Sequence, residues 1–101
     1  MRPEERIEKR FVKKIKELGY KSYKMVIAGE KGSYDQWVPL PGEKLFLFEF
    51  KAPGIKDGRS HHQKEFAKWW EEFDFDCYEV DSWEKPLKIV ENYLERYFAE
   101  D

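Results

Sequence analysis

The sequence predicts an α/β fold with the element order α-β-β-β-α-β-α, in which helices flank a central mixed sheet. Apolar residues recur at helical steps near both ends of the chain. A continuous apolar and aromatic run, Lys44-Leu45-Phe46-Leu47-Phe48, occupies the middle. Pro41-Gly42 joins that run so tightly to the short strand before it that the two must be antiparallel.

The first helix runs from Pro3 to Leu18, because Ile7, Phe11, Val12, Ile15 and Leu18 fall at three- and four-residue steps. Pro3 suits its first turn, Glu4 and Glu5 favour its positive end, and Gly19 suits its C-terminal cap. Glu8 lies one turn before Phe11 and Val12, on the edge of the apolar face, and so looks toward the core. Lys9, Arg10, Lys13, Lys14 and Lys16 make the other surface.

Residues Tyr20 to Ile27 have strand composition through Tyr20, Tyr23, Met25, Val26 and Ile27. Gly29 to Gly32 is a loop, Trp37-Val38-Pro39-Leu40 a short strand, and Pro41-Gly42-Glu43-Lys44 a turn of the hairpin kind. The central strand ends at Pro53-Gly54, and a polar loop follows. Ser60, with Gln63 three residues on, forms a capping box that opens a second helix; Phe66, Ala67, Trp69, Trp70 and Phe73 are its apolar side. Asp76 to Val80 is a further strand. Asp81-Ser82 caps the last helix, whose Trp83, Leu87, Val90, Leu94 and Tyr97 keep helical spacing and whose Pro86 sits in the first turn.

The chain of 101 residues is expected to form one domain over 1–101. Hydrophobic content of 41% and aromatic content of 18% exclude disorder although 40% of residues are charged. No apolar run approaches a membrane span, and the N-terminus is not a signal peptide. The lone Cys77 has no partner for an internal disulfide, which fits a reduced, cytosolic setting. Net charge is only −2, but residues 1–64 carry 15 Lys/Arg against 9 Asp/Glu and residues 65–101 carry 4 against 12. A basic front and an acidic back let one face approach phosphate, and they also fit ordinary solvated surface.

Two charges, Glu49 and Lys51, close the central strand where apolar residues are expected. Residues two apart on a strand share a face, so a carboxylate and an ammonium stand side by side on a rigid element. The glycine-bearing loop upstream delivers one more acid, Asp35. Asp followed by Glu-x-Lys on the next strand is the layout of a divalent-metal phosphodiesterase site. Asp35, Glu49 and the backbone carbonyl of Phe50 supply the oxygens that Mg²⁺ or Mn²⁺ takes, while Lys51 orients water or offsets phosphorane charge. An isolated Glu-x-Lys is more often an ion pair of small energetic value along a strand face; here an upstream Asp after a glycine loop stands beside it.

Asp35 followed by Glu49-Phe50-Lys51 resembles the PD-(D/E)XK nuclease superfamily. Within it, Glu49-Phe50-Lys51-Ala52-Pro53-Gly54, then Gln63-Lys64-Glu65-Phe66, is similar to the VRR-NUC branch. The resemblance runs from the Glu8 helix to Val80-Asp81-Ser82 and implies a restriction-endonuclease-like fold. It carries the family's first-helix acid onto Glu8, its metal Asp onto Asp35, its Glu and Lys onto Glu49 and Lys51, and its second-helix glutamine onto Gln63. One departure is visible: Gly32-Ser33-Tyr34-Asp35 stands where the family has Gly-x-Pro-Asp, and the missing proline ligates nothing. Stand-alone members are similar to Holliday-junction resolvases, which implies a homodimeric, Mg²⁺- or Mn²⁺-dependent endonuclease acting on branched DNA in the cytoplasm of a bacterial or phage-infected cell. Lys56, Arg59 and Lys64 flank the site as candidate phosphate contacts. His61 and His62, being adjacent on a helix, do not share a face and make no joint metal site. Two rival readings stay open: a nuclease-fold DNA-binding module without cleavage, and a small α/β interaction protein whose Glu49–Lys51 pair is structural.

Overall fold

Helix α1 (Pro3–Glu17) begins and ends as its sequence dictates. Pro3 stands at the first position, where its missing N–H costs nothing, and Glu4 and Glu5 occupy the positive first turn. At the other end the amide of Tyr20 donates to the Ile15 carbonyl and that of Gly19 to the Lys16 carbonyl. Gly19 at φ +93° makes this reversal possible, the pattern of a Schellman cap. Phe11 and Ile15 are the buried residues of the helix.

In the computed structural model, the described residues are 1–25, 35–54, 68, 72–73 and 75–99. The first strand, β1, is only Tyr23–Lys24, shorter than the expected Tyr20–Ile27. The cap explains its late start, since it commits the Tyr20 amide to α1; Val26 and Ile27 lie outside the described residues. β2 (Gln36–Leu40) pairs antiparallel with β3 (Lys44–Phe50), as their tight connection requires, and also with β1. β4 (Asp76–Val80) joins β3 in parallel, and the amide of Lys51 extends that ladder by donating to the Val80 carbonyl at 2.8 Å. The sheet order is β1-β2-β3-β4, so the sheet is mixed and β3 is interior. A parallel neighbour needs a long crossover, and residues 51–75 supply it. The helix expected to open at Ser60 lies mostly outside the described residues. Lys68 is helical, and the amide of Glu72 donates to the Lys68 carbonyl at 3.1 Å.

Helix α2 (Glu84–Ala99) closes the described chain. Ser82 Oγ accepts from the Lys85 amide at 3.2 Å, which is the capping role its position suggested. Phe46, Phe48 and Phe50 point to one face of β3, and Phe11 meets Phe48 edge-on with ring centres 5.2 Å apart. Val38, Leu40, Val80 and Val90 complete this core. Leu47, on the opposite face, is also fully buried. A strand covered on both faces reads as a continuous apolar run, which is why β3 was legible.

The β2–β3 loop, residues 41–43, is tied to α2 by Tyr93, whose hydroxyl donates to the Pro41 carbonyl at 2.6 Å. Gly42 adopts φ +79°, and a Cβ there would lie 2.7 Å from the Tyr93 hydroxyl and 2.9 Å from Tyr97. Gly42→Ala is therefore expected to cost about 2 kcal/mol, from left-handed strain plus the displaced tyrosines. Urea denaturation reads the change; an unaltered midpoint would contradict it.

Among the described residues, no helix is long and apolar enough to cross a membrane.

Candidate active site

Alternation along β3 turns Glu49 to the face opposite Phe48 and Phe50, yet Glu49 is only 2% exposed. Lys51 Nζ stands 3.3 Å from Glu49 Oε1. The contact is an ion pair, and Glu49 Oε1 is buried without a well-aligned hydrogen bond. Burial raises the pKa of Glu49 to about 7; Lys51 opposes the shift, while the charges of Asp35 and Glu79 add to it. Glu79 is the neighbour of Glu49 across the parallel ladder.

Asp35 stands one residue before β2. The ladder pairs Gln36 with Phe48, so the next step brings Asp35 opposite Glu49. Its position is fixed on two sides: Asp35 Oδ2 accepts the Phe50 amide at 2.8 Å, and its carbonyl accepts the Met25 amide at 3.3 Å. Burial raises the Asp35 pKa, against the Phe50 amide and Lys24 that favour its charged form; nearby Glu8 raises it further.

Glu8 reaches this end of the sheet from α1. Its Oε2 accepts hydrogen bonds from Lys24 Nζ at 2.9 Å and from Gln36 Nε2. Lys24 Nζ also lies 3.7 Å from Asp35 Oδ1 and so bridges the two acids. Burial disfavours the Lys24 ammonium, but Glu8 and Asp35 outweigh that effect and raise its pKa.

The structure thus gathers Glu8, Asp35, Glu49, Phe50 and Lys51 at one end of β3. Gln63, the candidate phosphate contacts Lys56, Arg59 and Lys64, and the pair His61 and His62 lie outside the described residues. The sequence reading missed Lys24 and Gln36. Gln36 is 3% exposed, and both ends of its amide are used, because its Oε1 accepts from Ser22 Oγ at 2.7 Å. A polar residue at an inward strand position beside Asp35 was the available signal. Gln36→Leu should destabilise the fold by about 1–2 kcal/mol by stranding these partners. Chemical denaturation tests this, and a neutral result would show that the partners are satisfied without it.

Among the described residues, no three His, Cys, Asp or Glu side chains form a metal-holding group by themselves. The donors nonetheless suit a hard dication that takes one or two carboxylates and keeps its waters. Burial raises the pKa of both Asp35 and Glu49 despite Lys24 and Lys51 beside them, and Glu49 Oε1 is buried without a well-aligned hydrogen bond.

A four-stranded mixed sheet with helices packed on it defines a small α/β protein. A solved structure described as a VRR_NUC domain matches it with a TM-score of 0.77 over 92% of this chain and 99% of that one, at 23% sequence identity. The fold is that of a VRR_NUC domain, the domain its motifs resemble. The chain is also 42% identical over 53 residues to "Putative nuclease p44" of Acyrthosiphon pisum secondary endosymbiont phage 1. That match spans 52% of this chain and 57% of the phage protein, little more than half of either. No protein-family model matches the sequence.

Proposed function

We propose that this chain is a VRR-NUC nuclease, a divalent-metal-dependent endodeoxyribonuclease that hydrolyses phosphodiester bonds in branched DNA, four-way junctions foremost, as a homodimer. The observation that carries this reading is the buried carboxylate of Glu49, its Oε1 3.3 Å from Lys51 Nζ at the end of β3, on a fold shared with a VRR_NUC domain. The printed name of the phage relative agrees with it.

Asp35 and Glu49, with the Phe50 carbonyl, would hold Mg²⁺ or Mn²⁺. Such an ion supplies Lewis-acid polarisation of the phosphate and lowers the pKa of water. The Phe50 amide fixes Asp35 through Oδ2, so the carboxylate needs no reorganisation during reaction. Lys51 offsets the negative charge that grows on the phosphoryl oxygens as water attacks phosphorus and the bond to the leaving sugar oxygen breaks. Lys24 and Gln36 hold Glu8 beside Asp35, where it would assist through a water on the ion. Gln63 is assigned an orienting role at the start of the second helix, and Lys56, Arg59 and Lys64 are assigned to DNA phosphates. Two identical sites related by a two-fold axis suit the symmetry of a four-way junction.

The test is cleavage of labelled linear duplex, flap and four-way DNA with and without Mn²⁺. Metal-dependent cutting that favours the four-way substrate supports the proposal. Salt-dependent binding with no cutting at any metal concentration would leave a DNA-binding module in its place.

A further inference from the structure

The turn that ends α1 and leads into β1 leaves a groove of about 410 Å³ with Val12 and Tyr20 among its lining residues and Lys16, Lys21, Ser22 and Tyr23 around them. This volume lies within the range of sites that take small organic groups. Among the described residues, its lining includes two lysines and no carboxylate. The end of a helix ordinarily repels anions through its bare carbonyls. Here the amides of Gly19 and Tyr20 occupy the Lys16 and Ile15 carbonyls, which blunts that repulsion.

Two further observations tie the groove to the candidate active site. Ser22, in its wall, donates to Gln36, and Gln36 donates to Glu8. Lys24, next after Tyr23, contacts both Glu8 and Asp35. The groove therefore borders the residues that hold Glu8 and Asp35. Tyr23 is 50% exposed on the edge strand β1.

We propose that this groove binds an unpaired segment of a nucleic-acid strand, with a base stacked on Tyr23 and flanking phosphates on Lys16 and Lys21. An aromatic platform between cations is the chemistry that holds single strands without reading their sequence. The proposal rests on the nuclease reading of the neighbouring site and adds to it the element that selects branched over continuous duplex. Branches of the flap kind carry an unpaired strand, whereas a blunt duplex and a fully paired four-way junction present none.

Fluorescence anisotropy in EDTA, with labelled oligothymidylate and a blunt duplex as probes, separates binding from cleavage. Tyr23→Ala should weaken oligothymidylate binding roughly tenfold, whereas Tyr23→Phe, which keeps the ring, should bind like the unaltered protein. The double substitution Lys16→Ala and Lys21→Ala should reduce the slope of log K against log salt by about 1.4 on the single strand. Blunt-duplex binding should change less than threefold in every variant. Oligothymidylate binding by Tyr23→Ala and the double variant that equals that of the unaltered protein would overturn the groove, as would equal losses on both probes. Cleavage of four-way DNA with Mn²⁺ reads the catalytic proposal independently. Cutting with a groove-insensitive binding pattern removes only the groove, and groove-dependent binding without cutting removes only the catalysis.

Discussion

Lys51→Ala and Asp35→Asn should each slow cleavage by at least about 10³-fold while leaving DNA affinity in EDTA within about threefold. The first loss follows from where Lys51 stands, 3.3 Å from Glu49 on the interior strand of the sheet. A single preorganised donor at developing charge is commonly worth about 10²–10³ in rate. Here the same ammonium also balances a buried carboxylate. In Lys51→Ala, Glu49 is expected to take up a proton more readily, because burial already raises its pKa to about 7. That proton relieves the buried charge and limits the loss of stability, but it also removes a ligand from the proposed metal site. Asp35→Asn keeps the shape of the side chain and an oxygen that can still accept the Phe50 amide. It removes the charge an ion needs. Single-turnover cleavage on four-way DNA, beside anisotropy without metal, separates the two effects. Full-rate cutting by either variant would sink its assigned role, and a matching collapse of DNA affinity would assign the residue to binding instead.

Most of the architecture was legible because local rules and tertiary burial agree. β4 spans Asp76–Val80, as its composition between turn residues indicated, and Ser82 caps the helix it was placed before. Glu49 and Lys51 could be put on one face from period-two alternation alone. The position of Asp35 could not, since it depends on the β2–β3 register and on the Phe50 amide. Lys24 and Gln36 stayed hidden for the same reason. They reach Glu8 across 16 and 28 residues, and no periodicity within one element encodes such a meeting. Likewise, β1 is short because the cap of α1 takes the Tyr20 amide, a competition that strand composition does not register.

Glu49→Gln is expected to make the protein more stable at pH 8 and inactive at every pH. Glu49 has a folded pKa of about 7 against an ordinary value of 4.5, so it holds its proton more tightly in the native state than in the unfolded one. Between those values the folded chain carries a proton that the unfolded chain has released. Stability therefore falls as pH rises through that window, and above about 7 the full loss is reached. The shift corresponds to about 3 kcal/mol at most. The neutral amide removes this charge, so Glu49→Gln should gain about 1–3 kcal/mol at pH 8 and little at pH 5, where the native carboxyl is already neutral. Asp35, raised in the same direction, leaves a smaller slope of the same sign in the variant. A cation and a proton compete for the same oxygen, so Mn²⁺ affinity of the unaltered protein should weaken up to tenfold per unit as pH drops below about 7. Glu49→Gln should abolish measurable affinity. Urea melts at both pH values and calorimetric titration with Mn²⁺ supply the readouts. Equal stability changes at pH 5 and pH 8 would refute the cost of burying the Glu49 charge, whereas retained Mn²⁺ affinity would refute Glu49 as a ligand. Stabilisation at pH 8 together with lost metal affinity would mark Glu49 as a carboxylate kept at a cost to the fold.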